Sequence, residues 1–244
     1  MKLSRTNTIL AKMKDQGITH ALVSDPYSIF YLTGFLENPG ERFFAILLDE
    51  NGNHKLFLNI LFPLEEDLGL EIVSYSDTDD IISKVAECIP DGTKLGIDKI
   101  LPARFLLPLM DKLPKTKFVD VSVLVDTTRM LKDEEERELM RISSELNDKA
   151  CQFVIDNINE NTTEKDLVKK LLAYYEEIGV EGTSFAPIIA FGDNGANPHG
   201  MPGDRKPKPG ESVIVDIGGI KDKYCSDMTR TVFFKQPTPE DREV

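Results

Sequence analysis

Apolar and polar positions follow two different rhythms along the first half of the chain. Runs rich in β-branched residues predict strands, and apolar positions at helical spacing predict helices. The predicted strands are ITHALVS (18–24), EIVSYS (71–76), TKLGID (93–98) and TKFVDVS (116–122), and the predicted helices are RTNTILAKMKDQG (5–17), DPYSIFYLTG (25–34), TDDIISKVAECI (78–89) and LPARFLLPLMDKL (101–113). Within RFFAILLDENGNHKLFLNI (42–60), an Asn-Gly pair between two apolar runs predicts a hairpin. This alternation is typical of an α/β layered domain with a central sheet.

A long amphipathic helix is predicted to begin at Asp133, where the composition changes. Its expected core-facing stripe has helical spacing and consists of Leu139, Ile142, Leu146, Ala150 and Phe153. A second helix, TTEKDLVKKLLAYYEEIG (162–179), is expected to be capped by Thr162 or Thr163. The segment after it is rich in strand and loop residues. The change in pattern places a domain boundary between about 122 and 132.

Composition and charge exclude several classes of function. A net charge of −13 and a pI near 4.8 over 244 residues argue against a nucleic-acid-binding groove. No apolar run approaches the ~20 residues of a membrane span, and the first residues show charges at helical spacing instead of a signal peptide. The three cysteines, Cys88, Cys151 and Cys225, are widely spaced and odd in number. They predict reduced thiols and a cytoplasmic protein.

The segment SVIVDIGGIKDKYCSDMTRTVFF (212–234) contains two aspartates in apolar surroundings. If it forms a hairpin that turns at Lys221-Asp222, Asp216 lies directly opposite Asp227. Opposed residues have Cβ atoms ~4.5–5.5 Å apart, which suits carboxylates that share one or two hard cations. The apolar run around Asp216 also predicts a strand buried on both faces, where an unpaired carboxylate is costly.

Simpler interpretations of these aspartates exist. Asp216 and Asp227 could lie at a sheet edge or bind backbone amides. They could also be neutralised by Arg230 or Lys223.

The other reactive side chains give weaker signals. His199 lies in the loop GDNGANPHGMPGD, where a lone histidine is usually solvated. His20 and His54 are expected to be structural or exposed. Cys225 has no histidine near it in the sequence, so a nucleophilic role lacks support. The motifs GxGxxG, P-loop and GxSxG are not found.

The stretch PIIAFGDNGANPHGMPGDRKPKPGESVIVDIGGIKDKYCSDMTRTVFF (187–234) closely resembles the metallopeptidase family of Xaa-Pro dipeptidases (prolidases) and Xaa-Pro aminopeptidases. Upstream, RMLKDEEERELMRISSELND (129–148) is similar to the family's linker and first catalytic helix. The resemblance covers essentially the whole chain, and VDIGG…YCSDMTRT is its most specific part. It implies a creatinase-like α/β N-terminal domain over 1–125, a linker over 126–133, and an incomplete α+β pita-bread catalytic domain over 134–244.

The resemblance also implies roles for individual residues. Asp216 would chelate one ion of a dinuclear site, and Asp227 would bridge both ions. His199 would contact the substrate near the metals and handle protons without being a ligand. The two divalent ions, manganese or cobalt, would activate a water molecule and polarise the scissile carbonyl. The substrate would be a proline-containing dipeptide or short peptide, and the proline ring requires a pocket of its own.

The chain departs from the family in one respect. The family completes its site with a further histidine and two glutamates downstream of this hairpin. The only histidines here are His20, His54 and His199, so no downstream histidine is available. We therefore expect the 244-residue chain by itself to hold no metal tightly and to show little or no peptidase activity.

Other classes of protein remain open at this stage. A non-catalytic pita-bread module that binds peptides or partner proteins would not require paired carboxylates. A creatinase-like enzyme that works without metal would not retain the aspartates, and methionine aminopeptidases generally lack the large N-terminal domain. The resemblance further implies a homodimer, with no nucleic-acid or membrane partner.

Overall fold

The computed structural model describes residues 1–237, and the chain forms two compact units, Met1–Leu131 and Lys132–Val244. The first unit is built on one six-stranded sheet. Its strands are β1 (His20–Val23), β2 (Ala45–Asp49), β3 (Lys55–Asn59), β4 (Glu71–Tyr75), β5 (Lys94–Ile97) and β6 (Lys117–Asp120), and its helices are α1 (Leu3–Asp15), α2 (Pro26–Thr33), α3 (Ile81–Glu87), α4 (Ala103–Lys112) and α5 (Ser122–Arg129).

The strands lie in the order β4-β3-β2-β1-β5-β6. Strands β2 and β3 form the predicted hairpin, with Ala45 opposite Phe57. The other strand pairs of the sheet are parallel except β1 with β2. The predicted strands and helices of this half, and the α/β class, are confirmed.

Both faces of the sheet are buried, and strand β2 shows this most clearly. Ile46 and Leu48 belong to a core with α1, α2 and α5, whereas Ala45 and Leu47 belong to a second core with α3 and α4. Because successive side chains of a strand point to opposite faces, an uninterrupted apolar run is what a sheet covered by helices on both sides requires.

Helix α5 lies within the first unit and covers part of the predicted linker, 126–133. Its residues Leu124 and Val125 are buried in the core that also contains Ile9 of α1. On α1, Lys12 donates hydrogen bonds to Thr127 and Thr128 of the same helix α5. Helix α5 therefore belongs to the N-terminal unit up to its last residue, Arg129.

The start of helix α3 gives a pH-dependent contribution to stability. Asp80 is the N-cap, and its carboxylate accepts hydrogen bonds from the backbone N–H and the hydroxyl of Ser83. These bonds, with Lys112 nearby, lower the pKa of Asp80 to about 2. A carboxyl group whose pKa is lowered on folding stabilises the fold above its unfolded pKa, and the contribution is lost as the pH falls through the folded value.

We therefore expect Asp80→Ala to lower the thermal midpoint of the first unit near pH 6, and the difference from wild type to narrow between about pH 4 and pH 2. Thermal melts at several pH values measure this difference. Asp111→Ala, an exposed site on α4, is the control and should leave the midpoint unchanged. A difference that stays constant down to pH 2 would contradict the assignment.

The second unit places two helices against two small sheets. Its helices are α6 (Glu134–Asp156) and α7 (Glu164–Glu177), and its strands are β7 (Gly182–Thr183), β8 (Ile188–Phe191), β9 (Ser212–Ile217), β10 (Gly219–Lys221), β11 (Tyr224–Cys225) and β12 (Met228–Phe233). The sheets have the orders β11-β10-β7 and β12-β9-β8. Helix α6 begins where predicted, directly after Asp133, which the structure shows to be its N-cap. Thr163, one of the two predicted candidates, caps α7.

The predicted core stripe of α6 is wrong by about one position. The buried residues of the helix are Glu136, Ser143, Asn147, Ala150, Cys151 and Val154, whereas only Ala150 of the predicted five is fully buried. The reason is that polar side chains of α6 satisfy backbone groups of the sheets. Ser143 donates to the carbonyl oxygen of Tyr224, and Asn147 donates to that of Ile217.

Two further findings bear on earlier expectations. The three cysteines, Cys88, Cys151 and Cys225, carry free thiols. Every helix in the described part of the chain is too short or too polar to cross a lipid bilayer.

Candidate metal-binding site

Strands β9 to β12 form one long antiparallel ribbon, but its register differs from the prediction. Asp216 lies opposite Thr229, not opposite Asp227, and the turn is at Asp222-Lys223. Both turn residues have positive φ, 48° and 68°, which is the geometry of a tight hairpin turn that matches strand twist.

A residue from another part of the unit fixes this turn. The carboxylate of Glu181 accepts a hydrogen bond from the backbone N–H of Asp222 at 2.8 Å and pairs with Lys223 at 2.6 Å. This contact holds Asp222 and Lys223 at the tip and places Lys221 opposite Tyr224. The physical reason for the wrong register is thus a tertiary contact across 41 residues.

The register still puts both aspartates on one face of the ribbon. Continued from β12, the pairing places Asp227 opposite Gly218, and the backbone N–H of Ser226 bonds to Gly219 in the same register. Asp216 and Asp227 are therefore diagonal neighbours, a relation in which residues are about 7–8 Å apart instead of the predicted ~4.5–5.5 Å.

The burial of β9 also corrects the prediction. Val213, Val215 and Ile217 are fully buried, but Ile214 and Asp216 on the alternate face are only half-buried. The strand is thus covered on one face, which is the normal state of an antiparallel sheet. Asp216 is half-buried and Asp227 is exposed.

Asp216 has one side-chain partner among the described contacts. The hydroxyl of Thr229 donates to its Oδ1 at 2.8 Å from the facing strand. Neither Asp216 nor Asp227 forms an ion pair with a lysine or arginine within residues 1–237, and Arg230 instead donates to the carbonyl oxygen of Thr229. The predicted alternative in which Arg230 or Lys223 neutralises the aspartates is therefore not what the described chain shows.

Hydrogen bonds and close contacts surround Gly218, which lies between the two aspartates on the ribbon. The backbone N–H of Ser184 donates to the carbonyl oxygen of Gly218, and the hydroxyl of Ser184 donates to that of Ser226. The Ser226 hydroxyl bonds in turn to both the N–H and the carbonyl oxygen of Gly219. Together these hydrogen bonds fix the position of the backbone that precedes Asp227.

His199 lies in the exposed loop predicted for it, after a single turn of 3₁₀ helix at Gly192–Ala196. The side chain of Asn197 accepts a hydrogen bond from the backbone N–H of His199 at 3.0 Å. Among residues 1–237, no three histidine, cysteine, aspartate or glutamate side chains form a metal-ligating group. The structure thus does not place His199 together with the two aspartates in such a group.

The other two histidines have structural contacts. His20 is buried and shares a hydrogen bond with Thr19. His54 is half-buried, accepts a hydrogen bond from the backbone N–H of Asp49, and has its pKa lowered by burial.

Two residues of this region were missed from the sequence. Thr229 was not singled out in SDMTRT, although hydroxyl residues often bond across a ribbon. Glu164 was not singled out either, because an acidic residue in a first turn is already explained by the positive end of the helix dipole. The structure shows it 1% exposed.

Asp216 and Asp227 have the chemistry of ligands to a hard divalent cation, which prefers carboxylate oxygens. They share a face and lack a cationic partner in the described chain. The two residues fit such an ion as part of a donor set. A divalent ion needs more ligands than two carboxylates provide.

Comparison with known proteins follows the two structural units. Residues 5–131 match the Creatinase/Prolidase N-terminal domain, and residues 138–244 match Metallopeptidase family M24. The chain belongs to the M24 metallopeptidases, a family that uses divalent metals. More particularly, it combines the creatinase-like N-terminal domain with an M24 domain, as prolidases and Xaa-Pro aminopeptidases do.

Individual relatives agree with this assignment. An uncharacterised peptidase of Staphylococcus aureus is 32% identical over 99% of this chain and 69% of its own length. The prolidase of Thermococcus sibiricus superposes with a TM-score of 0.89 and 31% identity, over 100% of this chain and 68% of that one. The X-Pro aminopeptidase of Thermotoga maritima superposes with a TM-score of 0.81 and 25% identity, over 96% of this chain and 68% of that one. The chain thus corresponds to about two thirds of each relative, consistent with an incomplete catalytic domain.

Proposed function

We propose that this chain serves the metal-dependent hydrolysis of peptide bonds that precede proline, as an Xaa-Pro dipeptidase first and an Xaa-Pro aminopeptidase second. The observation that supports this most is the placement of Asp216 and Asp227 on one face of a ribbon, without a cationic partner, inside the M24 segment. The similar solved structures include a prolidase and an X-Pro aminopeptidase, which supports the choice of bond.

Each residue of the site has a proposed role. Asp216 and Asp227 hold the divalent ions, manganese or cobalt, which when bound supply Lewis-acid activation of water and of the carbonyl group. The hydroxyl of Thr229 occupies one lone pair of Asp216 Oδ1 and so orients that carboxylate toward the open face. His199 contacts the peptide and handles a proton.

Partners and location form part of the same proposal. The substrate is a proline-containing dipeptide or short peptide, the protein acts as a homodimer, and the compartment is the cytoplasm. The free thiols of Cys88, Cys151 and Cys225 support a reducing compartment.

The second candidate is a non-catalytic module that binds peptides or partner proteins. The described chain favours it in one respect, since only two candidate ligands share a face and no larger metal-ligating group is found within residues 1–237. Such a module would bind its peptide equally well with and without divalent ions.

Manganese titration separates the two candidates. We expect Mn²⁺ to bind the chain weakly, and Asp216→Asn or Asp227→Asn each to weaken binding by about tenfold or more, because each removes a charged ligand. Asp222→Asn is the matched control, since Asp222 is exposed at the tip of the same ribbon and asparagine tolerates its positive φ. Electron paramagnetic resonance of free Mn²⁺ measures the bound fraction.

The outcomes are distinct. If Asp222→Asn weakens binding as much as the other two variants, the ion is bound by general surface charge and the metal site is refuted. Turnover of Xaa-Pro dipeptides by the Mn²⁺-loaded chain is expected to be slight or absent. Strong turnover that is lost in Asp216→Asn would show that the chain supplies its own remaining ligands.

A further inference from the structure

The N-terminus of helix α7 carries a buried carboxylate with an unusual set of partners. Glu164 is the first residue of the helix and is 1% exposed. It accepts hydrogen bonds from the backbone N–H of Phe191 at 2.8 Å, from the side-chain amide of Asn194 at 2.9 and 3.1 Å, and from the backbone N–H of Gly203 at 2.6 Å. Every one of these partners is an N–H donor.

These donors lie at the start, the middle and the end of one loop. Phe191 ends strand β8, Asn194 lies in the 3₁₀ turn, and Gly203 follows the Met201-Pro202 pair. A single side chain therefore closes the loop 192–202, which contains His199. A second contact reinforces the closure, because the backbone N–H of Lys165 donates to the carbonyl oxygen of Gly203.

A chain of contacts continues from Glu164 to the histidine. The Asn194 amide that donates to Glu164 also donates to the carbonyl oxygen of Met201. The carbonyl oxygen of Asn194 accepts the N–H of Asn197, and the side chain of Asn197 accepts the N–H of His199. The loop thus has local turns of its own, and the Glu164 carboxylate, together with the backbone N–H of Lys165, connects them to helix α7.

We propose that Glu164 is the positioning residue for His199: its carboxylate closes loop 192–202 and thereby fixes where the imidazole is held. This inference rests on the proposed function only for what His199 does with a peptide. The placement of the loop by Glu164 stands on the hydrogen bonds alone.

Glu164→Gln is the sharpest test, because it keeps the shape of the side chain. Glutamate has two equivalent oxygens, Oε1 and Oε2, whereas glutamine has one oxygen and one NH₂ group. One of the two positions now held by an acceptor oxygen therefore becomes an NH₂ donor. Since Oε1 faces the N–H of Phe191 and Oε2 faces that of Gly203, either orientation sets a donor against a donor. Glu177→Gln, at the exposed far end of the same helix, is the matched control.

The readout uses the metal-free 244-residue chain. The chain has three histidines, so the imidazole region of an NMR spectrum contains the ring signals of three residues. His20 and His54 belong to the other unit and serve as internal references. In Glu164→Gln we expect the His199 signal alone to shift or split, and the amides of Phe191 and Gly203 to exchange about tenfold faster or more.

Each result decides the proposal. A His199 signal and loop exchange that are the same in Glu164→Gln and wild type would overturn it, as would an equal change in Glu177→Gln. If Glu164→Gln unfolds the unit, Asn194→Ala becomes the deciding variant. It removes the side-chain amide that donates to both oxygens of Glu164 and keeps the carboxylate itself. An unchanged His199 signal in Asn194→Ala would refute the connection that runs from Glu164 through Asn194 to His199. Because no metal is present, failure of Mn²⁺ binding at Asp216 and Asp227 leaves this result unaffected, and the two proposals fail separately.

Discussion

Gly218→Ala is expected to lower the free energy of unfolding of the second unit by about 2–3 kcal/mol, because the site has no room for a methyl group. A Cβ atom there would lie 2.1 Å from Ser184 Oγ, 2.3 Å from the carbonyl oxygen of Ser226 and 2.7 Å from the ring of Phe185. The Ser226 contact is to backbone, so relief would require the ribbon itself to move. Asp227, the next residue, would move with it.

Alkylation of Cys151 measures this effect within the second unit. The thiol lies on α6, is 4% exposed, and has its pKa raised by burial, so it reacts only when the unit opens. We expect opening in Gly218→Ala to be roughly 30- to 150-fold more frequent, the equivalent of about 2–3 kcal/mol. Cys88, in the first unit, should react at the same rate in both proteins.

The control is Gly182→Ala on strand β7 of the adjoining sheet. An added Cβ at Gly182 meets nothing within 4 Å, so the same substitution should change stability by less than about 0.5 kcal/mol. If both variants behaved alike, the lack of space at Gly218 would not be the cause.

Asn147→Ala is expected to cost about 2–3 kcal/mol, because Asn147 is the centre of a buried polar network. Its side chain, 1% exposed, donates to the carbonyl oxygen of Ile217 at 3.0 Å and accepts from the Tyr175 hydroxyl at 2.7 Å. Burial raises the pKa of Tyr175, so that hydroxyl stays protonated and needs an acceptor. Removal of the amide leaves the hydroxyl without that partner.

A double-mutant cycle with Tyr175→Phe tests the network directly. We expect the two losses to overlap, with a coupling energy of about 1 kcal/mol or more, because both variants break the same hydrogen bond. Gln152 is an exposed residue on the same helix whose amide donates to Asp156 and to no other side chain within residues 1–237, so Gln152→Ala should be nearly neutral. Strictly additive losses at Asn147 and Tyr175 would argue that the bond contributes nothing. Chemical denaturation, monitored by alkylation of Cys151, gives the free energy of unfolding of wild type and of all four variants.

Helix starts with a side-chain cap were the most predictable feature, because the signal is local, whereas helix α5, which has no side-chain cap, was not predicted. Asp25 followed by a proline, Asp133 with Glu136, and Thr163 with Asp166 each cap a helix with side chains within a few residues. The Asn-Gly hairpin of β2 and β3 is equally local. Such contacts form in the same way in any tertiary setting, so the sequence contains the whole signal.

The predictions were wrong where residues distant in the sequence determine which side chains are buried. The stripe of α6 was assigned to Leu139, Ile142 and Leu146, yet Ser143 and Asn147 are the buried ones because they satisfy carbonyl groups of the ribbon. No pattern within the helix reports which backbone groups will face it. Apolar periodicity therefore gave the correct helix, but with its buried face displaced by about one residue.

The candidate site shows the same division. The sequence by itself determined the two domains of the M24 metallopeptidases and the presence of Asp216 and Asp227 in the two arms of one hairpin, because residue type and strand order are properties of the chain. Only the tertiary structure decided the register between them and the closure of the loop around His199. Those features depend on Glu181 and Glu164, whose carboxylates reach backbone N–H groups 41 and 27 residues away, where no local pattern can indicate the partner.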